Sequence, residues 1–97
     1  EKQAGVFHLQ APSGPYGLNF SEAEAACGAQ GAVLASLPQL SAAQKLGFHL
    51  CHVGWLANGS AAHPVVFPAA DCGGGQVGVV SLGLRKNHSE CWDAYCY

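Results

Sequence analysis

The segment from Cys51 to Cys72, CHVGWLANGSAAHPVVFPAADC, constrains this chain more than any other. Two cysteines bracket it, Gly54-Trp55-Leu56 opens it, and Asn58-Gly59-Ser60 makes a turn. Pro64 and Pro68 then flank the short apolar run Val65-Val66-Phe67. Prolines and turn residues at these positions exclude a long helix. The segment therefore reads as strand and loop, held by covalent closure. Trp55 carries more buriable surface than any neighbour and is expected to anchor the segment in the core. The 97 residues make one domain, large enough for a core but small enough to need cross-links. Five cysteines with one left free allow 5 × 3 = 15 connectivities, and sequence alone does not choose among them.

Charge and hydropathy remove several function classes. A formal net charge of −2, with only four Lys and Arg in total, gives no bulk attraction for a polyanion and argues against nucleic acid. There is no run of about 18 apolar residues, so no segment is expected to span or directly contact a membrane. No stretch reads as a signal peptide, and the chain is expected to be a domain excised from a larger protein. Abundant cysteine in a small chain favours an oxidising, extracellular setting. Three Asn-x-Ser sequons, at Asn19, Asn58 and Asn87, agree with it.

Along the chain, residues 1–4 read as a loose leader. Gly5-Val6-Phe7-His8-Leu9 reads as a strand with His8 as a hydrogen-bonded structural histidine. Residues 11–15 form a Pro/Gly/Ser turn, and 16–20 a second short strand. Ser21-Glu22-Ala23-Glu24 has the spacing of a capping box, with Ser21 as the cap of a helix stopping near Gly28 or Gly31. This assigns Glu22 and Glu24 to capping, not to a catalytic carboxylate pair. Val33-Leu34-Ala35 reads as a buried strand. Ser36-Leu37-Pro38-Gln39 repeats the helix start signal, with Leu40, Ala43 and Leu46 as the buried stripe. Val77 to Val80 reads as a buried strand, 83–89 as a loop, and 92–97 as the last strand. Helices and short strands mixed in this order argue for an α+β fold.

Enzymatic and metal readings fail on inventory. No nucleophile elbow or metal signature joins the Ser, His and Asp residues. His49, Cys51, His52 and Cys72 would make a zinc set on composition, but an oxidised cysteine cannot serve. Asp71, Glu90 and Asp93 are too scattered for calcium. Neither a metal nor a cofactor is expected.

The GW-L-x-N-G-S turn, followed by proline and then a Cys-Gly pair, resembles the Link module, an extracellular hyaluronan-binding domain family. Gly5-Val6-Phe7-His8 and Trp92-Asp93-Ala94-Tyr95-Cys96-Tyr97 extend the match over nearly the whole chain. Within the family the chain is similar to the Link domains of the stabilins, large endocytic scavenger receptors. The resemblance implies a C-type-lectin-like fold of two helices and two small antiparallel sheets, without the long calcium loop. It also implies the disulfides Cys27–Cys96 and Cys51–Cys72. Cys91 is left as a free thiol, either a tolerated surface group or an intermolecular disulfide site.

Hyaluronan carries one carboxylate per disaccharide, so binding it calls for Arg or Lys against carboxylates and aromatic faces against sugar rings. In the family a base and a Tyr act on the first turn, a Tyr and a Phe beside the central disulfide, and a Tyr and an Arg near the last loop. Carried across, this chain has Pro15, Tyr16, His63, Gly74, Leu82 and Arg85 at those positions. Tyr16 and Arg85 keep their chemistry, Lys86 and His88 restore some charge, and His63 is expected to stack weakly, more usefully when protonated. Loss of three aromatics and a base is expected to weaken binding by several kcal/mol, on the order of a hundredfold or more.

The resemblance thus implies a non-enzymatic module of a cell-surface scavenger and adhesion receptor. It would lie on the extracellular face of the plasma membrane, reach endosomes after uptake, and bind hyaluronan or a related glycosaminoglycan weakly. The alternative is a protein-interaction or spacer module that keeps the scaffold without carbohydrate binding. Pro15, Gly74 and Leu82 favour the second reading, and Tyr16 with Arg85 favours the first.

Overall fold

The computed structural model describes residues 2–97, so of the expected leader only Glu1 lies outside the described residues. Lys2 and Gln3 are not loose. They form strand β1 (Lys2–Gln3), which turns through Ala4 and Gly5, both at positive φ, to pair with β2 (Val6–Leu9). Two helices follow, α1 (Phe20–Ala29) and α2 (Leu37–Lys45). The remaining strands are β3 (Gly54–Trp55), β4 (Ser60–Val65), β5 (Gly78–Leu84) and β6 (Asp93–Cys96).

The strands lie in the order β1-β2-β6-β3-β4-β5. Two antiparallel groups, β1-β2-β6 and β3-β4-β5, correspond to the two expected small sheets. A parallel pairing of β3 with β6, Gly54 to Asp93 and Trp55 to Ala94, fuses them into one mixed sheet. The strands expected at 16–20 and 33–35 shrink to single bridges, Leu18 to Trp92 and Leu34 to Cys96. Each has little room: Tyr16 leaves extended geometry at φ 59° and Asn19 already caps α1, while Ser36, directly after 33–35, caps α2. Val77, expected inside, is exposed, and β5 runs on into the expected loop as far as Leu84.

Both helices begin with reciprocal caps. For α2 the box is Ser36 with Gln39, as the sequence predicts: the Gln39 N–H donates to Ser36 Oγ, and the Ser36 N–H donates to Gln39 Oε1. For α1 the box is Asn19 with Glu22, two residues ahead of the expected Ser21–Glu24 pair. The earlier frame puts Phe20 on the helix, where its ring meets Trp55 edge-on at 5.3 Å. Burial of that contact decides between two frames that capping alone leaves equal. Leu46 also departs from expectation. It is the C-cap of α2 and is exposed, leaving Leu40 and Ala43 as the buried stripe.

The core has two halves, one on each face of the sheet. Along β6, Tyr95 packs with Val6, Leu40, Ala43, Phe48 and Leu56, while Ala94 and Cys96 pack with Leu18, Ala23, Cys27, Leu34 and Trp55. The alternation follows from the two-residue period of a strand covered on both sides. Gly54 allows the tight layer over β6. A Cβ there would stand 2.7 Å from the Tyr95 ring, closer than side-chain atoms approach.

Cys27–Cys96 ties α1 to β6, and Cys51–Cys72 closes the central segment. Cys91 is free and exposed. With sequence separations of 69 and 21, the two bridges stabilise by about 4 and 3 kcal/mol in the chain-entropy account.

Trp55 is fully buried, and its Nε1–H donates to the Leu18 carbonyl at 3.0 Å. Trp55→Ala should therefore lower unfolding stability by about 3–5 kcal/mol, read from a shifted denaturant midpoint with both disulfides intact. A loss under about 1 kcal/mol would mean that the ring does not anchor the central segment in its half of the core.

Candidate functional site

Asp93 is a fully buried carboxylate at the start of β6, an expensive group to bury without partners. Its partners converge from three stretches of chain. The Tyr16 backbone N–H donates to Oδ1 at 2.7 Å, and His8 Nε2 on β2 lies 2.6 Å from Oδ2. The Gln10 side-chain amide donates to Oδ2 at 3.4 Å, and His52 Nδ1 stands 3.7 Å away. The structural role expected for His8 is met by this carboxylate.

Tyr16 is held on this hub in a left-handed conformation, φ 59°, which costs a side-chain-bearing residue roughly 1–2 kcal/mol. Such strain persists where the surroundings over-determine it. Here the Tyr16 hydroxyl accepts from the Val53 N–H at 3.2 Å, and its ring meets Trp92 edge-on at 5.4 Å. The ring itself stays exposed.

Trp92 continues the line. Its Nε1–H donates to Glu90 Oε1 at 3.1 Å. Glu90 in turn accepts from Arg85, Nε to Oε1 at 2.9 Å and Nη2 to Oε2 at 3.3 Å, while Arg85 Nη1 donates to the Leu82 carbonyl. The hydrogen bond from Arg85, then that from Trp92, holds the Glu90 carboxyl below the usual range. The same pairing raises Arg85 further. Tyr16 and Arg85 are thus brought onto one open strip, bridged by Trp92 and Glu90. The cation at its end is already neutralised.

The other candidates are placed differently. His63 lies in β4, where every residue is buried, and its Nδ1 is 3.2 Å from the Leu50 carbonyl. Burial lowers its pKa, against a raising contribution from that hydrogen bond. The ring is thus covered inside β4, and burial disfavours the protonated form that the expected stacking role would use. Lys86 is exposed in the loop after Arg85. Pro15 and Leu82 are exposed, and Gly74 sits at φ 65° with open space around it. His88 does not stand free, since its ring lies 4.6 Å from Phe20. Among the described residues there is no enclosed pocket, so the strip is an open surface.

Trp92, Glu90 and Asp93 were missed as site residues by sequence reasoning. One signal was available for Asp93: an acid inside the alternating apolar strand DAYC has to be buried or to bend the strand. The zinc set of His49, Cys51, His52 and Cys72 is excluded, because both cysteines are in a disulfide.

Comparison with known proteins agrees with this architecture. The profile of the family described as Extracellular link domain matches residues 5–97. Human Stabilin-1 is 84% identical over 97 residues, all of this chain, which spans 4% of that protein. Human Tumor necrosis factor-inducible gene 6 protein is 50% identical over 97 residues, and the chain spans 35% of it. Mouse Versican core protein is 42% identical over 99 residues, covering 95% of this chain and 3% of the relative. With the α+β fold, both disulfides and a match across nearly every residue, the chain belongs to the extracellular Link domain family.

Proposed function

We propose that this chain is a non-enzymatic module of a cell-surface scavenger and adhesion receptor that binds hyaluronan or a related glycosaminoglycan weakly. The observation that carries the reading is the continuous strip Tyr16–Trp92–Glu90–Arg85. It presents an exposed aromatic ring for a sugar face and a guanidinium for a carboxylate. Weak binding follows from the same strip, because Glu90 occupies the fork that a glycan carboxylate would need. Lys86 adds a salt-sensitive attraction. On this reading the domain works outside the cell and travels to endosomes with its receptor.

A second reading, a protein-interaction module, has one specific observation in its favour. Strand β5 is an edge of the sheet, and Leu82 and Leu84 on it are exposed. An apolar edge of this kind suits an extended peptide better than a charged sugar.

Titration with hyaluronan octasaccharide, followed by backbone amide shifts, separates the two. Shifts at Tyr16, Trp92 and Arg85 are expected, lost in Arg85→Ala and strengthened severalfold in Glu90→Gln, which frees the cation. Pro15→Lys with Leu82→Tyr should strengthen binding further, whereas Gly74→Phe would strain a left-handed backbone. Shifts confined to β5, or none at all, would favour the protein-interaction module.

Acidification offers a further check. His63 is buried in β4 and touches no member of the strip, so His63→Gln should leave the change in hyaluronan affinity between pH 7 and 6 unaltered. Stability has a definite sign here. The pKa of folded His63 lies below its unfolded value of 6.5, so protonation of the unfolded chain removes stability as pH falls below about 6.5. That part of the acid sensitivity should disappear in His63→Gln.

The sequons add a last expectation. Asn58 Oδ1 accepts from the Ser60 N–H and hydroxyl, and Asn87 Oδ1 accepts from the Ser89 N–H. Both lie in exposed turns. Asn19 is half-buried and caps α1. Expression in a mammalian secretory host should give glycan at Asn58 and Asn87, read as a mass loss on enzymatic deglycosylation. A glycan on Asn87, two residues after Arg85, would shade the strip, and its removal should then raise hyaluronan binding.

A further inference from the structure

We propose that His8, His52 and Asp93 form a three-ligand zinc site that shares no ligand with the strip Tyr16–Trp92–Glu90–Arg85, against the expectation of a metal-free domain. One ligand atom from each lies within 4.8 Å of the other two. His8 Nε2 and His52 Nδ1 stand 2.6 and 3.7 Å from the same oxygen, Asp93 Oδ2. Tetrahedral zinc, with bonds of about 2.0–2.1 Å, sets its ligand atoms about 3.3 Å apart, so both separations are within about 0.8 Å of what the ion needs.

The lone pairs are aimed together. The Gln10 side-chain nitrogen stands 3.2 Å from His52 Nδ1 and 3.4 Å from Asp93 Oδ2. An amide nitrogen can only donate, so both atoms act as acceptors toward one point. A cation at that point replaces the exposed Gln10 amide, and the hydrogen between His8 and Asp93 moves to the other imidazole nitrogen or to solvent. Two imidazoles and a carboxylate make a donor set suited to zinc and leave one coordination position for water.

Two of the ligands sit on paired strands, and a hydrogen bond from a buried side chain holds the third. His8 is paired with Tyr95 across β2 and β6. The His52 carbonyl accepts from the buried Tyr95 hydroxyl at 2.6 Å. The Asp93 N–H donates to the Val53 carbonyl, and the Tyr16 N–H on Oδ1 turns Oδ2 toward the two histidines. Hydrogen bonds of this kind orient ligands before a metal arrives. The ion would lie beside the exposed Tyr16, whose ring centroid is 6.0 Å from that of His52. This site shares no ligand with the oxidised Cys51–Cys72 pair.

Zinc chloride titrated calorimetrically into the disulfide-intact 97-residue chain at neutral pH tests this directly. One ion should bind per chain, reversibly on adding EDTA, with ring-proton shifts at His8 and His52. His52→Ala, a half-exposed position whose loss does not open the core, should weaken binding by at least about tenfold. Gln10→Ala, which removes only the competing amide, should tighten it. His49→Ala should change nothing. The proposal is overturned by no binding up to millimolar zinc, by an unaltered titration in His52→Ala, or by a loss that follows His49 instead.

Discussion

The carboxylate of Asp93 is the interaction on which the face carrying Tyr16 depends. A buried charge is tolerated only when its lone pairs are filled, and here they are filled from β2, from the first turn and from the residues before β3. None of those stretches is long. β3 has two residues, and the first turn has no strand or helix of its own. Without a common acceptor, little would fix Tyr16 in a left-handed conformation with its ring turned outward. The hub converts a fold requirement into a surface.

Beyond the hub, two kinds of interaction decide what that surface offers. Aromatic contacts and hydrogen bonds run from Tyr16 through Trp92 to Glu90, and there an ion pair ends the line. Arg85 is kept in place by the group that cancels its charge. Geometry is thus preserved while electrostatic pull is lost, a combination suited to weak recognition or to a partner that brings its own cation for Glu90.

Much of the scaffold was legible because it rests on local chemistry. The Ser36–Gln39 box with Pro38 inside it set the start of α2, and the stop near Gly28 or Gly31 set the end of α1 within one turn. The α1 box was misframed by two residues because Asn-x-x-Glu and Ser-x-x-Glu overlap; only the packing of Phe20 on Trp55 separates them. The disulfide pairing came from family resemblance, since spacing leaves fifteen choices open. The site was less legible for a physical reason. The burial of His63 follows from β4 being an interior strand covered on both faces, which SAAHPV does not betray by alternation. The Arg85–Glu90 pair depends on a loop bringing together residues five apart, with no periodic rule to predict it.

The Cys27–Cys96 bond has a mechanical consequence. If the domain is stretched from both sides within a longer polypeptide, tension entering ahead of Lys2 crosses that bond and leaves through Tyr97. Residues 28–95, with α2, β3, β4 and β5, are then shielded from the load. Only the 26 residues ahead of Cys27 can be drawn out, giving at most roughly 90 Å of extension. That releasable length contains His8 and Tyr16. Pulling would dismantle the surface built on Asp93 and leave the rest of the domain clipped and ready to rebuild it, so the same covalent bond that staples the core makes the face sensitive to force.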